Sequence, residues 1–103
     1  MGRPFSLPDV IPVAEQRGST FDKLVEMMER LLAPDGCPWD REQTIPSLRK
    51  YVLEEACEVM DAIDSGKPEN LREELGDLAL QVVFLSELSR RQGQFGVDDV
   101  VRD

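Results

Sequence analysis

The chain has 103 residues and a formal net charge of −9 at pH 7, and 41% of its residues are hydrophobic. This length is enough for one domain with a small core, and the acidic balance repels nucleic-acid backbones and anionic membranes, so we expect neither as a partner. Because the chain lacks an apolar run that could span a bilayer and the pattern of a secretory signal, we expect a cytosolic protein.

Prolines dominate the N-terminal residues, where Pro4, Pro8 and Pro12 recur at four-residue intervals. Proline disfavours helix interiors and favours extended backbone. We therefore predict an extended, Pro-rich N-terminal segment over residues 1–18 and a folded domain over residues 19–103.

The first predicted helix covers residues 20–33, where apolar residues recur at helical spacing. It ends at Pro34. Residues 34–46 follow with three prolines and several polar residues, and this composition predicts an irregular loop. A loop of this length in so small a domain suggests a functional role.

The second and third helices are predicted over residues 47–64 and 69–92, with Ser47 as the N-terminal cap of the second. Gly66 and Pro68 form the turn between them, because glycine suits a helix C-terminus and proline suits the first helical turn. Glu55 is expected at the edge of the core stripe of the second helix. The predicted core stripes are Leu48, Val52, Ala56, Val59 and Ile63 on the second helix, and Leu71, Leu75, Leu78, Val82 and Leu85 on the third.

The middle of the third helix, residues 78–85, is apolar on nearly every face. A helix of this kind needs cover on every face, which three helices alone do not easily supply. We therefore predict an all-α helical bundle of three main helices with an antiparallel hairpin, completed to a four-helix bundle by dimerisation.

Two pairs of carboxylates, Glu55/Glu58 and Glu74/Asp77, are placed symmetrically about Gly66. Each pair has i,i+3 spacing, so both members lie on one helix face. In a hairpin that turns at Gly66, Glu55 is level with Asp77, and Glu58 is level with Glu74. Such a group of acids suits Mg²⁺, which prefers oxygen ligands, and Mn²⁺ fits the same ligands. The alternative is a solvated acidic face, since Asp and Glu supply 21 of the 103 residues.

Two further sets of residues are candidates for contact with a ligand. Trp39, in the predicted loop, would stack on a base or else fix the loop against the helices. Arg41, Arg49 and Lys50 are candidate partners of phosphate groups, with simple solvation as the alternative reading.

The segments EEACE (residues 54–58) and ELGD (residues 74–77) resemble the EExxE and ExxD signature of MazG-type nucleoside triphosphate pyrophosphohydrolases. The loop GCPWDREQT (residues 36–44) is similar to the GCPWDxEQT element of the same family. The resemblance extends over about residues 20–101, and these motifs are specific in combination.

This resemblance implies an all-α, metal-dependent hydrolase that acts as a dimer or tetramer and converts a nucleoside triphosphate to the monophosphate and pyrophosphate. It implies that Glu55, Glu58, Glu74 and Asp77 hold Mg²⁺, and that Glu54 is a further ligand or orients the attacking water. Two alternatives remain open: a related all-α pyrophosphatase with a narrower substrate such as dUTP, and a non-catalytic helical interaction module.

Overall fold

The computed structural model describes residues 11–102, and within that range the regular secondary structure is entirely helical. This confirms the predicted all-α class. The three long predicted helices are present, each within about two residues of its predicted bounds, which is the usual uncertainty of helix ends. The α-helices are α1 (Phe21–Leu31), α2 (Pro38–Arg41), α3 (Arg49–Ser65), α4 (Pro68–Arg91) and α5 (Val97–Arg102), and 3₁₀ turns cover Val13–Glu15 and Pro46–Leu48.

The chain divides after Glu42 into two compact units. The first contains α1 and α2, and the second contains α3, α4 and α5. Residues 11–18 of the Pro-rich segment belong to the first unit, and residues 1–10 lie outside the described residues. In the described part, Pro12 has extended backbone with φ −52° and ψ 140°, and the 3₁₀ turn follows it. The predicted domain boundary between residues 18 and 19 stays a prediction.

The predicted irregular loop contains one turn of helix, α2, so the prediction of no regular structure over residues 34–46 is wrong in part. Pro38 stands at the first position of α2, where its missing N–H is not needed and its fixed φ suits a helix. The loop returns to the end of α1, because the Cys37 N–H donates to the Leu31 carbonyl at 2.8 Å. Gly36 is required there, since a Cβ would meet the Leu31 and Arg30 carbonyls.

The start of α3 differs from the predicted cap at Ser47. The Thr44 N–H donates to the Ser47 hydroxyl at 2.8 Å, and the Ser47 N–H donates to the Thr44 hydroxyl at 3.2 Å. This reciprocal pair is a capping box, with Thr44 in the cap position and Ser47 three residues later. It begins a 3₁₀ turn that leads into α3 and places Leu48 fully inside, at 0% exposure.

The predicted hairpin of α3 and α4 is present. Gly66 ends α3 with a left-handed φ of 70°, and its N–H donates to the Ile63 carbonyl at 3.2 Å. Pro68 opens α4. Within the second unit, α3 and α4 share the most extensive contact of any two elements. The two helices therefore form the antiparallel frame on which the acidic pairs lie.

The hairpin core differs from the predicted stripes. Leu48 and Ala62 of the second predicted helix are buried, whereas Ile63 is exposed. On α4, Val83 and Phe84 are buried, so the single chain covers part of the segment that is apolar on every face. Large apolar residues on one side of α3 and on one side of α4 stay exposed in the single chain, and we call these residues together the apolar face. Its large residues are Leu53, Met60 and Ile63 on α3 and Leu75 and Val82 on α4.

The end of α4 is fixed by a buried carboxylate. Glu87 has a side chain only 6% exposed, and it accepts hydrogen bonds from Arg90 Nε at 2.6 Å and Arg90 Nη2 at 2.7 Å. Arg91 Nε adds a third at 3.2 Å. The short α5 contacts α4 and begins where the Gly96 N–H donates to Asp99 Oδ2 at 3.0 Å. Among residues 11–102, no helix combines the length and the apolar character needed to cross a bilayer.

Candidate metal centre

Glu55 lies on the buried line of α3. It is seven residues from Leu48 and from Ala62, and seven residues make about two helical turns. Leu48 is 0% exposed and Ala62 is 5% exposed, so an acidic residue stands between two core residues. Glu55 itself is half-buried, which agrees with its predicted position at the edge of the core stripe.

The hairpin brings Glu55 together with Glu74 and Asp77 of α4. One carboxylate oxygen from each residue lies within 4.8 Å of the other two. Glu55 and Glu74 are half-buried and Asp77 is exposed, so the cluster opens to solvent on the side of Asp77. Three of the four predicted metal ligands therefore share one site.

Two carboxylates of the cluster, Glu55 and Glu74, ionise less readily than isolated carboxylates. Burial raises the pKa of Glu55, and the charges of Asp77, Glu58 and Glu54 raise it further. Burial also raises the pKa of Glu74, followed by the charge of Glu58 and a hydrogen bond with the Glu58 side chain. Both effects disfavour the ionised form, so the arrangement favours a proton or a cation at this place.

Two oxygens of the cluster are buried without a partner. Among the described residues that are not exposed, the buried side-chain atoms that lack a hydrogen bond are Glu55 Oε2, Glu74 Oε2 and Gln81 Oε1. All three are acceptors. Since a buried acceptor without a donor is costly, an interior that holds only acceptors calls for a donor or a cation.

The donor set fits a hard divalent cation. Carboxylate oxygens suit Mg²⁺, which also keeps several waters, and the open side at Asp77 leaves room for them. A zinc site is disfavoured, because structural zinc takes cysteine and histidine, and the chain has no histidine.

The two remaining predicted acids flank the cluster. Glu58 is exposed on α3 and reaches Glu74 closely enough to form the hydrogen bond that raises the pKa of Glu74. Glu54 is exposed and contributes only the weakest of the effects on Glu55. Glu58 is therefore adjacent to the cluster, whereas Glu54 lies at its margin.

The predicted substrate-binding residues fall in different units. Trp39 is 49% exposed and Arg41 is exposed, both on α2 of the first unit. Lys50 is exposed in the first turn of α3, and its Nζ lies 5.0 Å from the centre of the Tyr51 ring. That distance is within the range of a cation–π contact.

A groove of about 780 Å³, which the sequence did not predict, lies beside the start of α3. Arg49 and Lys50 contribute cations, Tyr51 contributes an aromatic ring, and Leu53 extends the groove toward the apolar face. The signal that could have found it is the run of Arg49, Lys50 and Tyr51 immediately after a proline turn. The other lining residues are Gln43, Pro46, Ser47, Val52 and Ala56.

The fold and site define an all-α protein with a carboxylate cluster between two antiparallel helices. Residues 43–103 match the MazG nucleotide pyrophosphohydrolase domain, and the chain belongs to this family. The matched residues contain the whole hairpin and its carboxylate cluster.

Several curated proteins are similar to the chain over most of its length. The nucleoside triphosphate pyrophosphohydrolase/pyrophosphatase MazG of Thermotoga maritima is 46% identical over 88 residues, which is 85% of this chain and 34% of that protein. The nucleoside triphosphate pyrophosphohydrolase of Escherichia coli is 46% identical over 78% of this chain and 31% of its own length. The Mycobacterium tuberculosis protein of the same name is 45% identical over 95% of this chain and 29% of its own length. The chain thus spans about a third of each relative's length.

Proposed function

We propose that the protein hydrolyses nucleoside triphosphates to the monophosphate and pyrophosphate, with Mg²⁺ held by Glu55, Glu58, Glu74 and Asp77. The observation that carries this proposal is the convergence of three carboxylates within 4.8 Å across the hairpin. The proposal is also supported by the family to which residues 43–103 belong and by three relatives that are named nucleoside triphosphate pyrophosphohydrolases. Mn²⁺ suits the same oxygen ligands.

The charge of the chain favours a cation-mediated contact with the substrate. A triphosphate carries several negative charges, and the cluster repels it unless a cation lies between them. A divalent cation held by these carboxylates would screen the charges of the triphosphate and polarise its phosphate groups. The carboxylates of the cluster supply the negative oxygens, and Glu55 and Glu74 are half-buried where they do so.

Glu54 is proposed to orient the attacking water and take its proton. Glu54 immediately precedes Glu55 on α3. Because it is exposed, its carboxylate can contact a water molecule on the solvent side. The water oxygen attacks the α-phosphorus, and the bond from that phosphorus to the bridging oxygen breaks. Pyrophosphate leaves, the monophosphate keeps the new oxygen, and the carboxylate of Glu54 holds the released proton.

Lys50, Trp39 and Arg41 are proposed to contact the rest of the substrate. Lys50 lies in the groove beside α3, where Arg49 adds a second cation for phosphate oxygens. Trp39 offers a half-exposed ring that a base can stack on, and Arg41 offers an exposed guanidinium.

We also propose that the protein is a homodimer, or a tetramer built from it, whose contact includes the apolar face. Leu53 is 66% exposed, Met60 63% and Ile63 59% in the single chain, which is a large apolar surface to leave in water. Ile63 lies about 80° around α3 from Glu55, and Glu58 lies about 60° to the other side. Contact through the apolar face therefore leaves the open side of the cluster accessible to substrate.

The test is to identify the products formed from a panel of ribo- and deoxyribonucleoside triphosphates with Mg²⁺ present. The proposal predicts monophosphate and pyrophosphate in equal amounts. Diphosphate and inorganic phosphate would contradict attack at the α-phosphorus. Turnover of dUTP alone would establish the narrower pyrophosphatase, and no turnover by a folded, cation-binding chain would favour the interaction module.

A further inference from the structure

Gln81 carries a buried side-chain oxygen that no hydrogen-bond donor meets. Its Oε1 belongs to the same small set of unpartnered buried oxygens as Glu55 Oε2 and Glu74 Oε2, among the described residues that are not exposed. The residue lies on α4 and is half-buried. A buried amide oxygen without a hydrogen-bond donor destabilises the folded state, so such an atom in a folded protein needs an explanation.

The register of α4 places Gln81 on the face that carries the cluster. Gln81 follows Asp77 by four residues and Glu74 by seven, along one uninterrupted helix. Residues at these spacings share a helix face. Long side chains on a helix also lean toward its N-terminus, which directs Gln81 toward the turn that holds Asp77.

The ionised carboxylates on this face cannot donate to the Gln81 oxygen, which has no hydrogen-bond partner in the structure. The carboxylates of Glu74 and Asp77 are acceptors when ionised, and Glu55 of α3 is another. A water molecule is the donor that fits, and Mg²⁺ keeps several waters when carboxylates bind it. Waters on a cation are good donors because the cation withdraws charge from their oxygen.

We propose that Gln81 is a positioning residue, whose amide oxygen accepts a hydrogen bond from a water on the cation held by Glu55, Glu74 and Asp77. This inference rests on the proposed cation site. Gln81 thereby strengthens cation binding without being a ligand, as the partners of metal ligands commonly do.

The experiment titrates the whole chain with Mg²⁺ by calorimetry, near neutral pH, and records the melting temperature in EDTA. Gln81→Met keeps the length of the side chain and removes the acceptor. We expect it to weaken Mg²⁺ binding by about tenfold or more, the range found for such partners, with the melting temperature in EDTA unchanged or raised. Gln92→Met, at the exposed C-terminal end of α4, is the matched control and should change neither quantity.

Unchanged Mg²⁺ affinity in Gln81→Met would overturn the inference, provided that the wild type binds and Glu55→Gln does not. Absence of Mg²⁺ binding by the wild type would instead overturn the proposed cation site, and this inference with it. If Gln81→Met also lowers the melting temperature in EDTA, Gln81→Glu decides, because it restores an acceptor oxygen. Affinity equal to that of the wild type supports the proposal, and affinity as weak as in the Met variant contradicts it.

Discussion

Glu55 of α3 faces Asp77 of α4 across the hairpin, with one carboxylate oxygen of each within 4.8 Å of the other. The two residues lie at equal distances along the chain from Gly66, whose left-handed conformation makes the turn. The position of the turn thus determines which acids meet. Because both carry negative charge, the contact stores repulsion that a cation would relieve.

Replacing Glu55 by Gln is expected to stabilise the cation-free protein. It removes one charge from a half-buried cluster, and two unit charges at this separation repel by about 1–3 kcal/mol between the limits of water and a protein surface. Urea unfolding in EDTA measures the gain. The stabilisation that millimolar Mg²⁺ gives the wild type should disappear in the variant.

The control for this substitution is Asp61→Asn, which removes an exposed charge from the same helix outside the cluster. It should leave the Mg²⁺-induced stabilisation intact. A clear loss of stability in cation-free Glu55→Gln would indicate that Glu55 has a structural role and would argue against the cluster as a cation site.

Lowering the pH toward 4.5 should stabilise the cation-free protein. The pKa values of Glu55 and Glu74 are raised above their ordinary value of 4.5, so the folded state holds these protons more tightly than the unfolded state. Their contribution to stability is fully present below pH 4.5 and is lost as pH rises through the raised values. Melting temperatures in EDTA should therefore fall as pH rises above 4.5, and less steeply in Glu55→Gln. A dependence as steep in the variant would contradict the assignment.

Glu87 should behave in the opposite way. Its hydrogen bonds with Arg90, and then with Arg91, lower its pKa below 4.5, so its contribution is present above that value and is lost as pH falls through the lowered one. Glu87→Gln is expected to lower the free energy of unfolding near neutral pH by about 1.5–3 kcal/mol, the range for hydrogen bonds to a charged group. Urea denaturation measures it.

The matched control for Glu87 is Glu26→Gln. Glu26 pairs with Lys23 at 3.5 Å on the surface of α1, and both side chains are about half exposed. Exposed pairs of this kind contribute about 0.2–1 kcal/mol, so the control should change stability little. Equal effects of the two substitutions on the free energy of unfolding would show that the burial of Glu87 does not strengthen its ion pairs.

Leu53→Lys is expected to reduce the molecular mass in solution to that of one chain. A charge at Leu53, the most exposed residue of the apolar face, opposes burial of this face against a second copy. Light scattering after size exclusion measures the mass. Val101→Lys, which changes a 69% exposed residue on α5, is the control and should leave the mass unchanged. A Leu53→Lys protein with the mass of the wild-type oligomer would exclude the apolar face as the contact.

Local sequence signals predicted the helices, the turn at Gly66 and the convergence of Glu55 with Glu74 and Asp77. These features depend on spacing within one hairpin, which the chain order determines. The capping box of Thr44 and Ser47 was missed because either residue can cap a helix, and the choice depends on the 3₁₀ turn that follows. The helix α2 was missed because proline was read only as a helix breaker, although Pro38 suits a first turn.

The core was harder to predict than the site. Apolar spacing on α4 predicts Leu75 and Val82 inside, whereas the single chain exposes them and buries Glu87 and Ser86. Burial at these positions depends on which neighbouring element covers each side of a helix that is apolar on nearly every face. The spacing of apolar residues along the helix does not predict which element that is. Glu87 tolerates burial because Arg90 and Arg91 donate hydrogen bonds to its carboxylate. These partners lie three and four residues away on the same helix, so the spacing of the charges could have predicted the ion pairs.

Catalysis by the carboxylate cluster is measured by pyrophosphate release from a nucleoside triphosphate, for the wild type, Glu55→Gln, Glu58→Ala and Asp61→Asn, each with Mg²⁺ and with EDTA. We expect Mg²⁺-dependent release by the wild type and by Asp61→Asn, and loss of at least about a hundredfold, or about 2.7 kcal/mol in activation free energy, in the two cluster variants. Release by folded Glu55→Gln at the rate of the wild type would contradict the account.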